Sequence, residues 1–347
     1  MIDLRSDTVT TPTEAMWLAM RSATLGDDTL EGDPTVNRLE TLAAKLTGKS
    51  AALFVTSGTM GNVISALTHN QRGGLEAIVD SQAHMLLSEA GGLSCLAGLF
   101  CNAITSHRGE MDLQQLKTKL RGSYSRYGGP TALVCMETSH NHSGGSVLSD
   151  DYLREVSRLS REAGVPVHID GARVCNAAVA SGRSLKEIAS CADSITFCLS
   201  KGLGAPMGSV LAGDEAFIQR ARTFRRMVGG GLRQAGIMAA AGIVALEQGI
   251  PRLEEDHKTA QLIWQELRHY KPSLVSELPP QTNILQVTPG TESQDETERF
   301  IRRLEQNNML CRAARPGVLR LVTHRHINLQ HVPQIVSAFR HSLETSY

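Results

Sequence analysis

A lysine in the middle of the chain has a setting that suits covalent chemistry. Lys201 follows the apolar run 194–199 and precedes the small residues Gly202-Leu203-Gly204-Ala205-Pro206. Small neighbours leave a lysine amine accessible, and an accessible amine can form a Schiff base with the carbonyl group of a ligand. An ordinary surface lysine after a strand would give the same local pattern. The interpretation of Lys201 therefore depends on chemical partners elsewhere in the sequence.

Two charged residues that follow a second apolar run could be such partners. Asp170 ends the run Val-His-Ile-Asp, and Arg173 follows shortly after it. A carboxylate at this place can pair with the protonated ring nitrogen of a pyridine cofactor and preserve its electron-withdrawing character. Arg173 could bind a substrate carboxylate. A helix-capping aspartate and a structural arginine are the alternatives.

The segment Ser57-Gly58-Thr59 precedes a helical pattern and could bind a phosphate group. The free amide donors of a helix N-terminus and the helix dipole both favour an anion. The same residue types also occur as ordinary helix caps. Neither GxGxxG nor a Walker loop occurs in the chain, which disfavours a nucleotide-binding α/β protein.

Two histidines are candidates for proton transfer. The unperturbed pKa of an imidazole, near 6.5, suits proton transfer in either direction. His140 lies just past the strand candidate 131–136, in the same predicted layer as Asp170 and Lys201. With 12 histidines in the chain, a structural role is the alternative for either one.

Apolar strand-like runs alternate with amphipathic helical patterns over the first two thirds of the chain, which is typical of α/β architecture. Strand candidates at 51–55, 131–136, 165–169 and 194–199 each continue into polar residues. In a parallel sheet the carboxyl ends of the strands share one edge, where ligands bind. A helix is predicted after the cap Asp33-Pro34, with Gly48 as its end.

A change in pattern marks a predicted domain boundary. After the glycine run 229–231 the chain becomes mainly helical, with a long helical pattern over 251–270, a strand candidate at 318–323 and a final helix over 329–343. We therefore predict a large domain of residues 1–250 and a small C-terminal α+β domain of residues 251–347.

Composition favours small-molecule partners. Lys and Arg total 35 and Asp and Glu total 35, so no bulk charge favours nucleic acid or a membrane surface. The seven cysteines are scattered without CxxC spacing, which indicates neither a disulfide framework nor a zinc site, and no metal is expected. No apolar run reaches the length of a membrane span, and the first residues do not resemble a signal peptide. We expect a cytoplasmic protein.

Taken in order, these motifs resemble the low-specificity and allo-threonine aldolases. The resemblance covers nearly the whole chain. It is carried by Asp3 to Thr10, Gly26-Asp27-Asp28, Asp33 to Asn37, Ser57-Gly58-Thr59, Ala83-His84, Glu89 to Gly92, Asp170 to Arg173, Ser200 to Gly204, Gly229 to Gln234 and Arg320 to His324.

The resemblance implies a pyridoxal-phosphate enzyme of fold type I, with a mostly parallel seven-stranded sheet flanked by helices. It implies that Lys201 bonds to the cofactor, that Asp170 pairs with the pyridine nitrogen, and that His84 stacks on the ring. The implied cofactor-binding residues are Ser57, Gly58, Thr59, His84, Asp170, Arg173, Ser200, Lys201 and, from a neighbouring subunit, Arg233. The implied substrate-binding residues are Ser6, His140, Arg173 and Arg320.

The resemblance also implies retro-aldol cleavage of L-threonine or L-allo-threonine to glycine and acetaldehyde, by a homo-oligomer, expected as a dimer of dimers, whose site lies at a dimer interface. His84 and His140 both remain candidates for the base that accepts the β-hydroxyl proton.

The sequence departs from the family near the expected substrate side chain: Thr29-Leu30 replaces Val-Tyr, and the segment His142 to Ser146 is longer than in many relatives. The alternatives are therefore another pyridoxal-phosphate lyase or transaldolase acting on a β-substituted amino acid, and a binding protein without turnover.

Overall fold

The structure is a computed structural model that describes residues 1–70, 73–126 and 128–344. In chain order its strands and helices are β1 (Ile2–Asp3), α1 (Glu14–Arg21), α2 (Pro34–Thr47), β2 (Ala51–Val55), α3 (Gly58–His69), β3 (Glu76–Asp80), α4 (His84–Leu87), α5 (Gly92–Cys95), β4 (Phe100–Ile104), β5 (Ser106–His107), β6 (Glu110–Met111), α6 (Leu113–Lys119), β7 (Thr131–Glu137), α7 (Asp150–Glu162), β8 (Val167–Asp170), α8 (Val174–Ser181), α9 (Leu185–Ala189), β9 (Ser194–Cys198), β10 (Ser209–Gly213), α10 (Glu215–Met227), α11 (Gly236–Val244), α12 (Ile250–Tyr270), β11 (Ile284–Val287), α13 (Gln294–Gln306), β12 (Met309–Leu310), β13 (Arg312–Arg315), β14 (Val318–Val322) and α14 (Val332–Glu344).

A seven-stranded sheet with the order β2-β10-β9-β8-β7-β3-β4 forms the centre of the molecule. The neighbours from β9 to β4 are parallel, whereas β10 runs antiparallel to both β9 and β2. The predicted mostly parallel α/β sheet is therefore confirmed. Parallel pairing places Glu137 opposite Asp170, and Asp170 opposite Thr196, so the carboxyl ends of β7, β8 and β9 meet at one edge.

Helices cover both faces of this sheet, and its central strands are therefore buried along their whole length. Alternate residues of β2 show the two layers. Leu53 and Val55 pack with buried residues of α3 and α10, whereas Ala52 and Phe54 belong to the core cluster that includes α2, α7 and α8. The sheet is therefore packed on both faces, and this packing fixes the positions of the strand ends.

The predicted helix after Asp33 is confirmed as α2, and its cap also fixes two other segments. Asp33 Oδ1 accepts hydrogen bonds from the amides of Thr35 (2.9 Å) and Val36 (3.1 Å). Asp33 Oδ2 accepts from the amides of Gly26 (3.1 Å) and Gly236 (3.0 Å). The carboxylate is fully buried. It therefore holds together the starts of α2 and α11 and the loop that carries Gly26.

A second apolar core is built mainly from the C-terminal third of the chain. It contains residues of α12, α13 and α14 and the three-stranded sheet β11-β14-β13. Ile2 and Leu4 also belong to it, because β1 pairs in parallel with β12. Helix α12 contributes Leu253 to the first core and Ile263 to the second. The division near residue 250 stays a prediction, with α12 bridging the two cores and the N-terminal strand joining the second.

Among the described residues, no helix is both long and apolar enough to cross a membrane.

We expect Asp33→Ala to lower the free energy of unfolding by about 3 kcal/mol, because it removes a helix cap and leaves buried amides without acceptors. Asp112 caps α6 with one bond, to the amide of Gln115, and is exposed. Asp112→Ala is thus the matched control and should cost about 1 kcal/mol. Urea unfolding of both variants measures the difference. Equal losses of unfolding free energy would show that the buried bonds of Asp33 to Gly26 and Gly236 add nothing to the helix cap.

Candidate active site

Asp170 lies where three parallel strands end, in a buried position. Its Oδ2 accepts a hydrogen bond from Asn62 Nδ2 (2.9 Å), and its Oδ1 accepts from the amide of Ala172 (3.0 Å). A carboxylate oxygen has two lone pairs, so both oxygens retain capacity for a further donor. The protonated nitrogen of a pyridine ring is a donor that fits this carboxylate.

Lys201 lies in the turn that follows β9, the neighbouring strand. The turn is closed by a hydrogen bond from the Gly204 amide to the Lys201 carbonyl (2.8 Å). Within residues 1–70, 73–126 and 128–344, the structure gives the Lys201 ammonium group no hydrogen bond or salt bridge. The amine is half-buried and contributes to the electrostatic environment of both Asp7 and His84. Its setting leaves it available for a ligand.

The N-terminus of α3 lies beside the end of β9. A Cβ on Gly58 would lie 2.9 Å from Cys198 Sγ, so this close approach requires glycine. Ser57 Oγ caps the helix by accepting from the Met60 amide (3.1 Å). In the described part of the chain, the amides of Gly58 and Thr59 have no acceptor, as expected of a first helical turn. The free amides of Gly58 and Thr59 thus make a candidate anion cradle at the end of β9.

His84 is held by two buried carboxylates. Its Nδ1 lies 2.9 Å from Glu89 Oε1, and its amide donates to Glu137 Oε2 (2.7 Å). Asn62 Nδ2 also donates to Glu89 Oε1 (2.9 Å) and so links this pair to Asp170. The hydrogen bond to Glu89 raises the pKa of His84 above its ordinary value. Because Nδ1 faces a carboxylate acceptor, Nδ1 carries the proton and the neutral ring presents a lone pair at Nε2.

The ligand atoms of His84, Glu89 and Asp170 lie within 4.8 Å of one another, a spacing that could also hold a metal ion. Here, however, both carboxylates already receive an amide N–H from Asn62. The cluster thus already receives hydrogen-bond donors from the protein.

A second group of predicted residues gathers around a buried ion pair. Arg173 Nε and Nη2 each lie 2.7 Å from an oxygen of Asp7, which also accepts from Asn283 Nδ2 (3.2 Å). Burial raises the pKa of Asp7, but the Arg173 guanidinium lowers it by more, so that the net pKa is about 2. Ser6 Oγ adjoins the same carboxylate at 3.4 Å. Arg173 therefore has two of its three nitrogens committed inside the protein.

Arg320 lies next to this ion pair and has no carboxylate partner within the described ranges. Its Nη1 donates to Asn141 Oδ1 (2.8 Å) and its Nη2 to the Arg5 carbonyl (3.4 Å). Burial and then the nearby Arg173 charge lower the pKa of Arg320 to about 10. A partly buried guanidinium without an acidic partner is the better binding site for a carboxylate, so Arg320 fits this predicted role more directly than Arg173.

His140 occupies a different environment from the one expected of a base. Its Nε2 lies 2.7 Å from Asp80 Oδ2, its Nδ1 accepts from Ser143 Oγ (2.9 Å), and the side chain is fully buried. Burial lowers the pKa of His140, but Asp80 raises it by more, so the net pKa lies above the ordinary value. Nδ1 thus accepts within the protein and Nε2 faces Asp80 as an ion pair, while backbone bonds of His140 with Ser146 and Gly145 support the loop that carries Asn141.

Arg233 and Ser200 are not brought to the anion cradle by hydrogen bonds in the described residues. Arg233 is exposed and its Nη1 lies 3.4 Å from Asp27 Oδ1. Ser200 is half-buried beside Lys201. The predicted action of Arg233 across a subunit interface stays a prediction.

The sequence analysis assigned no role to Asp7, Asn62 or Asn283. Asp7 contacts the predicted residue Arg173, Asn62 contacts the predicted residue Asp170, and Asn283 contacts Asp7. Asn62 carried a usable signal. It lies four positions after Gly58, one helical turn from the expected phosphate cradle and on the same side of the helix.

Comparison with known proteins agrees with this geometry. Residues 3–289 match a family model described as beta-eliminating lyase. The low-specificity L-threonine aldolase 1 of Arabidopsis thaliana is 40% identical over 99% of this chain and 97% of its own. The solved structure of Leishmania major threonine aldolase aligns with a TM-score of 0.81 at 17% identity, covering 99% of this chain and 100% of that one.

The structure of SPT with pyridoxal phosphate aligns with a TM-score of 0.76 at 16% identity, covering 99% of this chain and 87% of that one. This likeness supports the fold-type I architecture. The chain belongs to the beta-eliminating lyase family and, within it, to the low-specificity L-threonine aldolases.

Proposed function

We propose that this chain cleaves the Cα–Cβ bond of L-threonine and L-allo-threonine, giving glycine and acetaldehyde, with pyridoxal phosphate bound at Lys201. One observation carries the proposal. In a chain of this family, an unpaired lysine and a buried carboxylate with spare acceptor capacity follow neighbouring strands at one edge of the sheet, and a carboxylate-free arginine reaches Asn141, which follows β7 at the same edge.

The donor set fits the cofactor. Gly58 and Thr59 would bind the phosphate through their free amides, with Ser57 capping the same turn and Ser200 beside it. Asp170 would accept from the ring nitrogen, and His84 would lie against the ring. When bound, pyridoxal phosphate withdraws electrons from Cα and so stabilises the negative charge that develops there.

Arg320 binds the substrate carboxylate, and Ser6 and the remaining N–H groups of Arg173 complete the pocket. The ion pair with Asp7 prevents Arg173 from turning away and keeps its guanidinium beside Arg320. The substrate is held at two points, its amino group at the site of Lys201 and its carboxylate at Arg320. These two points set the rotation of the bonds about the substrate Cα. That rotation determines which of its bonds is aligned for cleavage.

We assign the acceptor of the β-hydroxyl proton to His84. Its Nε2 lone pair has no partner in the described part of the chain, and Glu89 stabilises the charge that the ring gains with the proton. His140 is less suited because Asp80 and Ser143 occupy its nitrogens. It contributes indirectly, since its loop brings Asn141 to Arg320.

We also propose a homo-oligomer, a dimer of dimers, in which Arg233 reaches the phosphate of a neighbouring subunit. The exposed apolar residues Leu30 and Met227 support an interface near Arg233, because a hydrogen bond from Thr29 Oγ1 to the Leu232 carbonyl joins their segments. A cytoplasmic location is consistent with the free cysteines of the structure.

The proposal is tested by assaying purified protein with pyridoxal phosphate and L-allo-threonine for acetaldehyde and glycine. We expect both products from wild type and a loss of roughly 1000-fold or more in Lys201→Ala. Lys258→Ala, on the exposed face of α12, is the control and should match wild type. Pyruvate with ammonia would indicate elimination instead, and transfer of glycine to another aldehyde would indicate a transaldolase.

Arg320→Lys should lower kcat/KM roughly 10- to 100-fold, mainly through KM, because a point charge replaces a guanidinium that can bind both carboxylate oxygens. Arg312 is the matched control, since it lies opposite Arg320 in the β13–β14 pair and is exposed. Steady-state kinetics of Arg320→Lys and Arg312→Lys decide the matter. An unchanged KM in Arg320→Lys would remove Arg320 from the substrate pocket.

The rate should fall at acid pH as His84 becomes protonated, because the raised pKa of His84 keeps the ring charged to a higher pH. In Glu89→Gln the stabilising charge is lost, the pKa of His84 falls, and the acid limb of kcat/KM should move to lower pH. Profiles measured from pH 5 to 9 test the direction. An acid limb that stays in place, or moves to higher pH, would contradict the assignment of His84.

A further inference from the structure

Behind the candidate site, a buried chain of hydrogen bonds runs from Asp170 into the interface between α3 and the central strands. Asn62 begins it by donating from Nδ2 to both Asp170 Oδ2 and Glu89 Oε1, each at 2.9 Å. Asn62 Oδ1 lies 3.1 Å from His168 Nε2. His168 Nδ1 lies 2.9 Å from both Ser65 Oγ and Ser194 Oγ. Asn62 and His168 are both buried.

The carboxylates fix the orientation of the Asn62 amide and, through it, the proton position on His168. Ionised Asp170 and Glu89 can only accept, so the Asn62 NH₂ group must face them and its oxygen must face His168. His168 must then donate from Nε2. Burial lowers the pKa of His168 to about 3, so the ring is neutral and its Nδ1 is an acceptor. Ser65 or Ser194 supplies the donor there.

The amide of Asn62 has one N–H for each carboxylate, and these two carboxylates serve different groups. Asp170 faces the cofactor site, whereas Glu89 bonds to His84 Nδ1. A rotation of the Asn62 amide would move both carboxylates away from their present orientation. The proton on His168 Nε2 prevents that rotation, because a flipped amide would point an N–H at another N–H.

We infer that Asn62 and His168 are positioning residues, which lock the carboxylates of Asp170 and Glu89 in one shared orientation toward the cofactor and the base. The inference rests on the proposed function, since it assumes that Asp170 receives the cofactor nitrogen. Four polar side chains buried between a helix and a sheet would be costly without a full set of partners, and here each has its partners.

The test exploits the reach of two amide side chains at position 168. In His168→Gln the side-chain N–H can occupy the place of Nε2 and still donate to Asn62. In His168→Asn the shorter side chain reaches only the position of Nδ1, so that donor is lost. Asn62→Leu removes the amide itself at similar volume. Thr68→Val is the control, since Thr68 is a buried residue of α3 whose hydroxyl group, within the described residues, bonds only to the Ile64 carbonyl.

The dissociation constant for pyridoxal phosphate, measured by equilibrium dialysis of cofactor-free protein, is the readout. We expect it to rise about 10- to 100-fold in Asn62→Leu and His168→Asn, and to stay within about threefold of wild type in His168→Gln and Thr68→Val. Nitrogen-15 NMR of labelled histidine should show His168 as the neutral Nε2–H tautomer, with or without the cofactor.

Equal affinities in all variants, equal losses in His168→Gln and His168→Asn, or an Nδ1–H tautomer would each overturn the inference. These outcomes are distinguishable from failure of the proposed function. A protein that binds pyridoxal phosphate but forms no glycine and acetaldehyde loses the proposed reaction, while the affinities still decide the role of Asn62. A wild-type protein that binds no pyridoxal phosphate overturns both.

Discussion

The buried ion pair between Asp7 and Arg173 is the interaction on which the arrangement of the site depends. It ties the N-terminal segment to the end of β8, and Asn283 Nδ2 adds a donor from the C-terminal core. Three parts of the chain that are distant in sequence thus meet at one carboxylate. Although burial raises the pKa of Asp7, the Arg173 guanidinium brings it down from an ordinary 3.8 to about 2, so ionisation of Asp7 stabilises the folded state. This stabilisation is complete above pH 4 and is lost as the pH falls through about 2.

Around this ion pair the site separates into two electrostatic regions. Toward the sheet, Asp170, Glu89 and Glu137 form a group of buried carboxylates that accept from amides, and burial raises the pKa of Glu137. Toward the C-terminal core, Arg173 and Arg320 form a positive region. In the proposed function the positive region binds the substrate carboxylate, whereas the buried carboxylates hold the cofactor nitrogen and His84.

The sequence predicted the parts of this site that local signals encode. Asp170 and Lys201 each follow an apolar run, and parallel pairing then brings the strand ends together, as the structure confirms for β7, β8 and β9. The pairing of side chains was beyond local signals. Asp7 and Arg173 are 166 positions apart, Asn62 and His168 are 106 apart, and neither pair follows from periodicity. His140 shows the same limit, because its position after a strand was predictable but its buried contact with Asp80 was not.

Helix α12 gives the two cores a common axis. This 21-residue helix places Leu253 in the core beneath Lys201 and Ile263 in the core beneath Arg320. A continuous helix resists bending, so it holds the core that carries Lys201 at a fixed position relative to the core that carries Arg320. A fixed spacing favours substrates whose amino and carboxyl groups keep a constant separation, as they do in every α-amino acid. Discrimination among α-amino acids is then left to whatever space surrounds the side chain.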